Sequence, residues 1–508
     1  MKFIINWASN QLFSTTPDTI MKEIIQKATI LANTNPAILM SIEKDQDALA
    51  LKKKKIRNAD KRYYANKTSS LFYDTAQYTP EEIRDEKLEL KTGRKRMESI
   101  IVYLFMMVRG YFNSVTDKES TERIIDSFTL NQALKSLGTR MPGFTTILEN
   151  LNAVSETTRQ LIFDAQIKYT VEKGFDNFKN CQIDSTSIKA NSEWPTDSGI
   201  ALKLFGRTLH YLKILESFGL PAFNKWHSEN WISKLKKLNF KINNVAGKAN
   251  SKGKIKRHYT QFINNSKKLH DYLITEKERI EECYIDCAPS VQLKLNIIWD
   301  KIHDDLMALA EVLYYTENRI FHGIVLKSTS KLLSISDSTA AYIDKGNRIP
   351  LIGYKPQLAR STNGFVTSIM VPLGNANDSK QLIPVLKDVI NRTKVIPKVV
   401  SLDDGYSSAK GRKSALEMGV KTVSISGAKG KKITPENDWN SESYKKARSD
   451  RSAVESIIFT LKYMFEFGRL RRREIDNVKA ELLEKIIVFN FYRMIVLEQN
   501  KEKLHQKL

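Results

Sequence analysis

Cysteine is scarce in this sequence. Three residues among 508 are too few for a disulfide framework, which points to a reducing compartment. Long apolar runs are missing as well. The longest, in Ser99-Ile-Ile-Val-Tyr-Leu-Phe-Met-Met-Val108, covers about ten residues where a membrane span needs about twenty, and it predicts a buried helix. The opening Met1-Lys2-Phe3-Ile4-Ile5-Asn6-Trp7 breaks off too early for a signal peptide. No internal repeat and no long low-complexity tract is present. Gly427-Ala-Lys-Gly430-Lys-Lys lacks the Walker spacing, so nothing indicates ATP use. His258, His270, Cys283 and Cys287 match no common zinc-finger spacing, and the cysteines read as free thiols on a helix.

Acid is also in deficit: 57 Asp and Glu against 81 Lys and Arg leave a net charge of +24. A cysteine-poor chain this basic suits a polyanionic partner, because each phosphate neutralised releases condensed counterions. The excess is uneven. Residues 201–270 hold 15 Lys or Arg and only Glu216 and Glu229, a net of +13. Within that stretch Lys252, Lys254, Lys256 and Arg257 are candidate phosphate contacts. Trp226, Trp231 and Tyr259 either stack an unpaired base or belong to helix cores. Arg471, Arg472 and Arg473 form a second basic cluster. With 41% hydrophobic residues, the length allows about three domains, each with its own core.

Residues 1–95 read as a polar helical region that includes Lys52-Lys53-Lys54-Lys55, open to DNA binding or to a solvated helix face. Residues 96–175 read as several helices. A short amphipathic stretch at 128–137 is stopped by Gly138, a turn follows at 139–143, and a helix restarts at Phe144. That spacing is shared by helix-turn-helix DNA readers and ordinary helical hairpins. Strands are predicted at 180–188, 353–357, 364–373, 398–402 and 421–425, with a turn at 361–364. Helices are predicted across 202–319, at 379–393 and over most of 444–497. The fold class is therefore α/β: a mixed sheet with helices, interrupted by a basic helical insertion and preceded by a helical N-terminal region.

Asp184 lies within the first predicted strand. Asp403 follows the apolar run Val399–Leu402, at the carboxyl end of a strand, where sites on α/β sheets gather. An Asp there equally suits a cap or a turn, and neighbouring Asp404 competes for the same role. Arg451, Glu455 and Lys462 follow the spacing R-x3-E-x6-K. At about 100° per residue they fall within roughly 40° of one another on a helix. Val454, Ile457, Ile458, Leu461, Met464 and Phe465 fill an adjoining apolar arc. One helix would then present Glu455 between two cations, although a plain surface Arg–Glu pair fits the same spacing.

Taken together, Ile183-Asp184-Ser185-Thr186, Leu402-Asp403-Asp404-Gly405-Tyr406 and the Arg451–Lys462 pattern resemble the D, D-x-G-Y and E signatures of DDE transposases from bacterial insertion sequences. Trp194-Pro195-Thr196-Asp197-Ser198 resembles the PTDS segment after the first Asp of many such enzymes. Tyr315-Thr316-Glu317-Asn318-Arg319 and the stretch from Lys331 to Asp337 are similar to the ISNCY-type group. So are Gly353-Tyr354-Lys355-Pro356-Gln357 and the loop Gly374-Asn375-Ala376-Asn377-Asp378-Ser379. The likeness runs over roughly residues 125–500. It departs at Arg448, where the pattern has Tyr, and at Asp404, where Arg or Lys is frequent; the D-x-G-Y spacing favours Asp403.

The resemblance implies an RNase H-like catalytic domain at 176–204 plus 321–500, with a helical insertion domain at 205–320 between its first two core strands. It implies cleavage at transposon ends and 3′-OH strand transfer into target DNA. Two Mg²⁺ or Mn²⁺ ions would be held by Asp184, Asp403 and Glu455, with Arg451, Lys462, Gly405 and Tyr406 in support. The implied partners are double-stranded DNA, as terminal inverted repeats and target, and at least one further copy of the chain, with no membrane. The implied location is the bacterial cytoplasm, at the nucleoid. A DNA-binding protein that lost the chemistry and a structure-selective nuclease would share the fold.

Overall fold

The computed structural model describes residues 20–69, 97–112, 116–136, 138–192, 194–283, 285–327, 330–344 and 349–505. Residues 1–19 and 70–95 of the expected N-terminal region lie outside the described residues. Among the described residues seven helices precede the sheet: α1 (Ile20–Thr34), α2 (Ala37–Ser69), α3 (Ser99–Tyr111), α4 (Asp117–Ile125), α5 (Phe128–Ser136), α6 (Phe144–Ala153) and α7 (Glu156–Glu172). Strands β1 (Asn180–Ser185) and β2 (Ile188–Lys189) follow. Then come α8 (Asp197–Ser217), α9 (Lys225–Val245), α10 (Lys252–Glu281) and α11 (Pro289–Glu317). The chain returns through β3 (Ala341–Ile343), β4 (Leu351–Tyr354), β5 (Gln357–Ser361), β6 (Val366–Met370), α12 (Leu382–Thr393), β7 (Val399–Leu402), α13 (Ala409–Glu417) and β8 (Thr422–Ile425). It closes with α14 (Gly427–Ile433), α15 (Glu436–Asn440), α16 (Glu442–Asp450), α17 (Ala453–Met464) and α18 (Ile475–His505).

The described residues divide into two compact units: one made of those within 1–49, 93–192 and 339–508, the other of those within 50–92 and 193–338. In the first unit a five-stranded sheet runs β6-β5-β1-β7-β8. In order of appearance along the chain its strands stand 3-2-1-4-5. β1, β7 and β8 are parallel, whereas β5 is antiparallel to both β1 and β6. This is the mixed sheet expected of an RNase H-like domain. Its strands alternate in facing, and Cys181, Ile183, Val400, Leu402, Val423 and Ile425 join one buried cluster. α12 closes that cluster with Val385, Leu386 and Val389, spaced to fall on one helical stripe.

Two expected strands each break into two. The predicted strand at 353–357 contains Pro356, which has no N–H for a ladder. β4 therefore ends at Tyr354 and β5 starts at Gln357 in a different sheet. The predicted strand at 180–188 likewise splits, sending β2 into a small sheet of order β2-β4-β3. There Gly353 meets β2 so closely that a Cβ would fall 1.9 Å from the Ile188 carbonyl oxygen.

The helical layer of the same unit buries charge. α3 is buried from Ser99 to Gly110, and among the described residues no helix is long and apolar enough to cross a membrane. Arg109 on α3 donates to Glu484 of α18 at 2.5 and 2.9 Å, and Arg159 of α7 donates to the same carboxylate at 2.7 Å. Burial pushes the Glu484 carboxyl up, and Arg109, Arg159 and Arg472 more than reverse it, holding it well below the usual carboxylate range. Burial also draws the Arg109 guanidinium down to about 9 against the pull of Glu484.

The second unit packs α8 to α11 around Leu204, Phe205, Leu235, Phe262, Leu269 and Leu309. Arg207 pairs with the buried Asp305. Tyr259 is buried in this core, so it is not a base-stacking platform. Trp231 packs against the same core and donates from Nε1 to His227 at 3.1 Å. The Trp226 side chain lies outside what is described.

Candidate active site

β1 and β7 run parallel in a register that pairs Ile183 with Leu402. Both residues are fully buried, and alternation turns the next position on each strand away from that core. Those positions are Asp184 and Asp403, which therefore come side by side at the carboxyl ends of neighbouring strands, each half-buried. Asp184 Oδ1 accepts from the Ser185 backbone N–H at 2.7 Å, and Asp403 Oδ1 accepts from that of Gly405 at 3.0 Å. Gly405 has little room: a Cβ there would lie 3.1 Å from Asp403 Oδ1.

Asp403 and Asp404, adjacent in sequence, have separate roles. Asp404 Oδ1 accepts from the backbone N–H groups of Lys429 and Gly430 at 3.0 Å each, at the start of α14. That is a capping arrangement, favoured by the partial positive charge of a helix N-terminus. Gly427, with φ +94°, admits the contact, since its Cβ would fall 2.5 Å from the Asp404 carboxyl carbon.

Tyr406 is fully buried beneath the two aspartates and donates its hydroxyl proton to Gln357. Burial raises its pKa, and the charges of Asp378, Asp184 and Asp403 raise it further. All three carboxylates thus act on one phenol. Asp378 carries no role in the sequence reading, yet it accepts from Gln357 at 2.9 Å and from the Ser185 hydroxyl at 3.2 Å, and pairs with Lys355 at 2.8 Å. The signal was present in Gly374–Ser379 and Gly353–Gln357, two stretches of the family likeness with no chemistry attached to them.

Glu455 stands in the first turn of α17, which packs against β1. Val454, Ile457 and Leu461 are buried, whereas Met464 is exposed, so the apolar stripe is narrower than expected. Arg451 does not share the helix of Glu455. It caps the end of α16, one residue before the Ser452 cap of α17, and reaches forward to pair with Glu455 at 2.7 Å. Lys462 lies half-buried further along α17. The Glu455 side chain is 56% exposed. Among the described residues no group of three or more His, Cys, Asp or Glu is gathered as a metal site. The donors on hand are carboxylate oxygens, the type that suits Mg²⁺ or Mn²⁺, but the expected three-acid convergence is not present as a closed set.

The two basic clusters also differ. Lys252, Lys254, Lys256 and Arg257 are exposed on the first turns of α10. Arg471 is buried and pairs with Asp117 at 3.0 Å, so its charge serves the fold rather than a surface. Arg472 donates to Asn152 at 3.2 Å, and Arg473, which is exposed, donates to the Asn191 carbonyl at 3.2 Å. Around them opens a cleft of about 780 Å³ that Arg159 also lines.

No curated protein and no solved structure matches the chain. Residues 332–491, which hold Asp378, Asp403 and Glu455 but begin after Asp184, match the family model of a transposase DDE domain, and this match supports a DDE transposase.

Proposed function

We propose that this protein cuts DNA at transposon ends and joins the freed 3′-OH to target DNA, with Asp184, Asp403 and Glu455 as its acidic triad. The observation that supports the reading is the register that pairs Ile183 with Leu402, one residue before Asp184 and Asp403, on a sheet whose later strands match a transposase DDE domain. Asp184 and Asp403 would hold divalent metal, and Glu455, oriented by Arg451, would complete the set. When bound, the ions supply activation of the attacking oxygen and charge stabilisation at the leaving one. Each reaction is an in-line displacement: a new P–O bond forms as the scissile P–O3′ bond breaks, leaving a 3′-hydroxyl. Water is the first nucleophile and that 3′-hydroxyl the second.

Arg451 orients the Glu455 carboxylate, and Lys462, two turns on, faces the phosphate backbone. Gly405 and Tyr406 shape the loop that presents Asp403. Lys252, Lys254, Lys256, Arg257 and Arg473 grip duplex DNA, at terminal inverted repeats or target, whereas the Arg472 side chain is buried beside Asp117. The ISNCY-type group, a dimer or higher assembly on DNA and a site of action at the bacterial nucleoid complete the reading. The test is cleavage and joining of a duplex bearing the element's ends, in Mg²⁺ or EDTA. Asp184→Asn should abolish both reactions, a loss of at least about 10³-fold, while end binding persists; retained cleavage overturns the assignment. Nicking without joining would mark a nuclease, and binding indifferent to metal with no nicking a DNA-binding protein.

A further inference from the structure

Asp378 stands outside the three acids of the D, D, E pattern, yet it contacts Ser185, which follows Asp184, and lies beside Gly405, which follows Asp403 by two residues. Its carboxylate takes the ammonium of Lys355 at 2.8 Å, the Gln357 amide at 2.9 Å and the Ser185 hydroxyl at 3.2 Å. Ser185 directly follows Asp184 on β1. Gln357 accepts the proton of Tyr406, which follows Asp403 by three residues. The same carboxylate lies 3.4 Å from where a Gly405 Cβ would be. One side chain is therefore tied to the strand end that carries Asp184 and to the loop that carries Asp403.

Lys355 gives the arrangement its electrostatic sense. Its side chain is 9% exposed and that of Asp378 14%, and Lys355 also donates to the Ala376 carbonyl at 3.3 Å. Two carboxylates set side by side repel each other, and a third beside them adds to the strain unless a cation answers it. The Lys355–Asp378 pair brings that cation in. Removing a group that orients a metal ligand from behind typically costs about 10- to 100-fold in metal affinity.

We infer that Asp378, held by Lys355, is a positioning residue that fixes the spacing of Asp184 and Asp403 for divalent-metal binding. This rests on the metal-dependent reading above. The test uses full-length protein, with Mn²⁺ affinity from the free-ion electron paramagnetic resonance signal, melting temperature, and Mg²⁺-dependent cleavage. Asp378→Asn should weaken Mn²⁺ binding by about 10- to 100-fold, as outer-shell changes do elsewhere. In the double variant with Lys355→Met the stranded charge is gone, so the melting temperature should recover while Mn²⁺ affinity stays low. Where Asp378→Asn does not fold, Ser185→Ala removes a single contact and should give a smaller loss of Mn²⁺ affinity.

Wild-type Mn²⁺ affinity in the folded variant tested overturns the inference. So does recovery of that affinity in the double variant, because the buried lysine alone would then explain the loss. A wild-type chain that neither binds Mn²⁺ nor cleaves overturns the broader reading together with this one. A wild-type chain that cleaves, with a variant indifferent at position 378, removes this inference alone.

Discussion

The arginines of the first unit and the lysine-rich start of α10 look alike in a charge count and differ in the fold. Arg109, Arg159 and Arg471 are buried, two of them on one glutamate and the third on Asp117. Lys252, Lys254, Lys256 and Arg257 sit in water. A cation inside a helical layer has already exchanged its hydration for a partner, and removing either member strands the other. An exposed cation keeps its hydration and is available to a phosphate. Positive charge in this chain therefore stands in two environments, and only burial tells them apart.

The sharpest way to break that comparison is at Glu484. Glu484→Gln leaves two buried guanidiniums facing a neutral amide and should destabilise the protein by about 3–5 kcal/mol in urea or heat. Because the folded carboxyl titrates below its unfolded value, the stabilisation is complete above about pH 4.3 and fades as pH falls further. Melting curves of wild type and variant should thus converge in acid; a gap that stays constant would remove the ion-pair explanation. Next in size is neutralisation of Lys252, Lys254, Lys256 and Arg257 to Gln. It should cut the slope of log affinity against log salt on duplex DNA by up to about 3.6, at 0.9 per phosphate contact, with the melting temperature unmoved. An unchanged slope would show that these residues do not touch phosphate. The smallest effect belongs to Arg471→Met: about 1–2 kcal/mol of stability from a lost ion pair and packing, with no change in salt slope. A slope change there would return Arg471 to the DNA-contacting set.

Legibility followed the range of the interactions concerned. The strands ending at Leu402 and Ile425 were readable because short apolar runs bounded by turn residues need only local information. The break at Pro356 was also local in cause, but its result, two strands in different sheets, required partners far along the chain. Arg451 and Glu455 were correctly paired by spacing, whereas their separation onto α16 and α17 was not visible, since helical periodicity carries no mark of a turn at position 452. Asp378 escaped notice because its partners Ser185, Lys355 and Gln357 lie up to 193 residues away.

By itself the sequence determined the strands and helices of the sheet domain, the excess of positive charge and the order of three acids with their family likeness. These properties are set by neighbours along the chain, through side-chain periodicity and composition. Tertiary structure alone decided which of two adjacent aspartates caps a helix, which arginines are buried and which fourth carboxylate joins Asp184 and Asp403. Hydrogen bonds and desolvation act over a few ångströms in space, a distance that residue numbering does not encode.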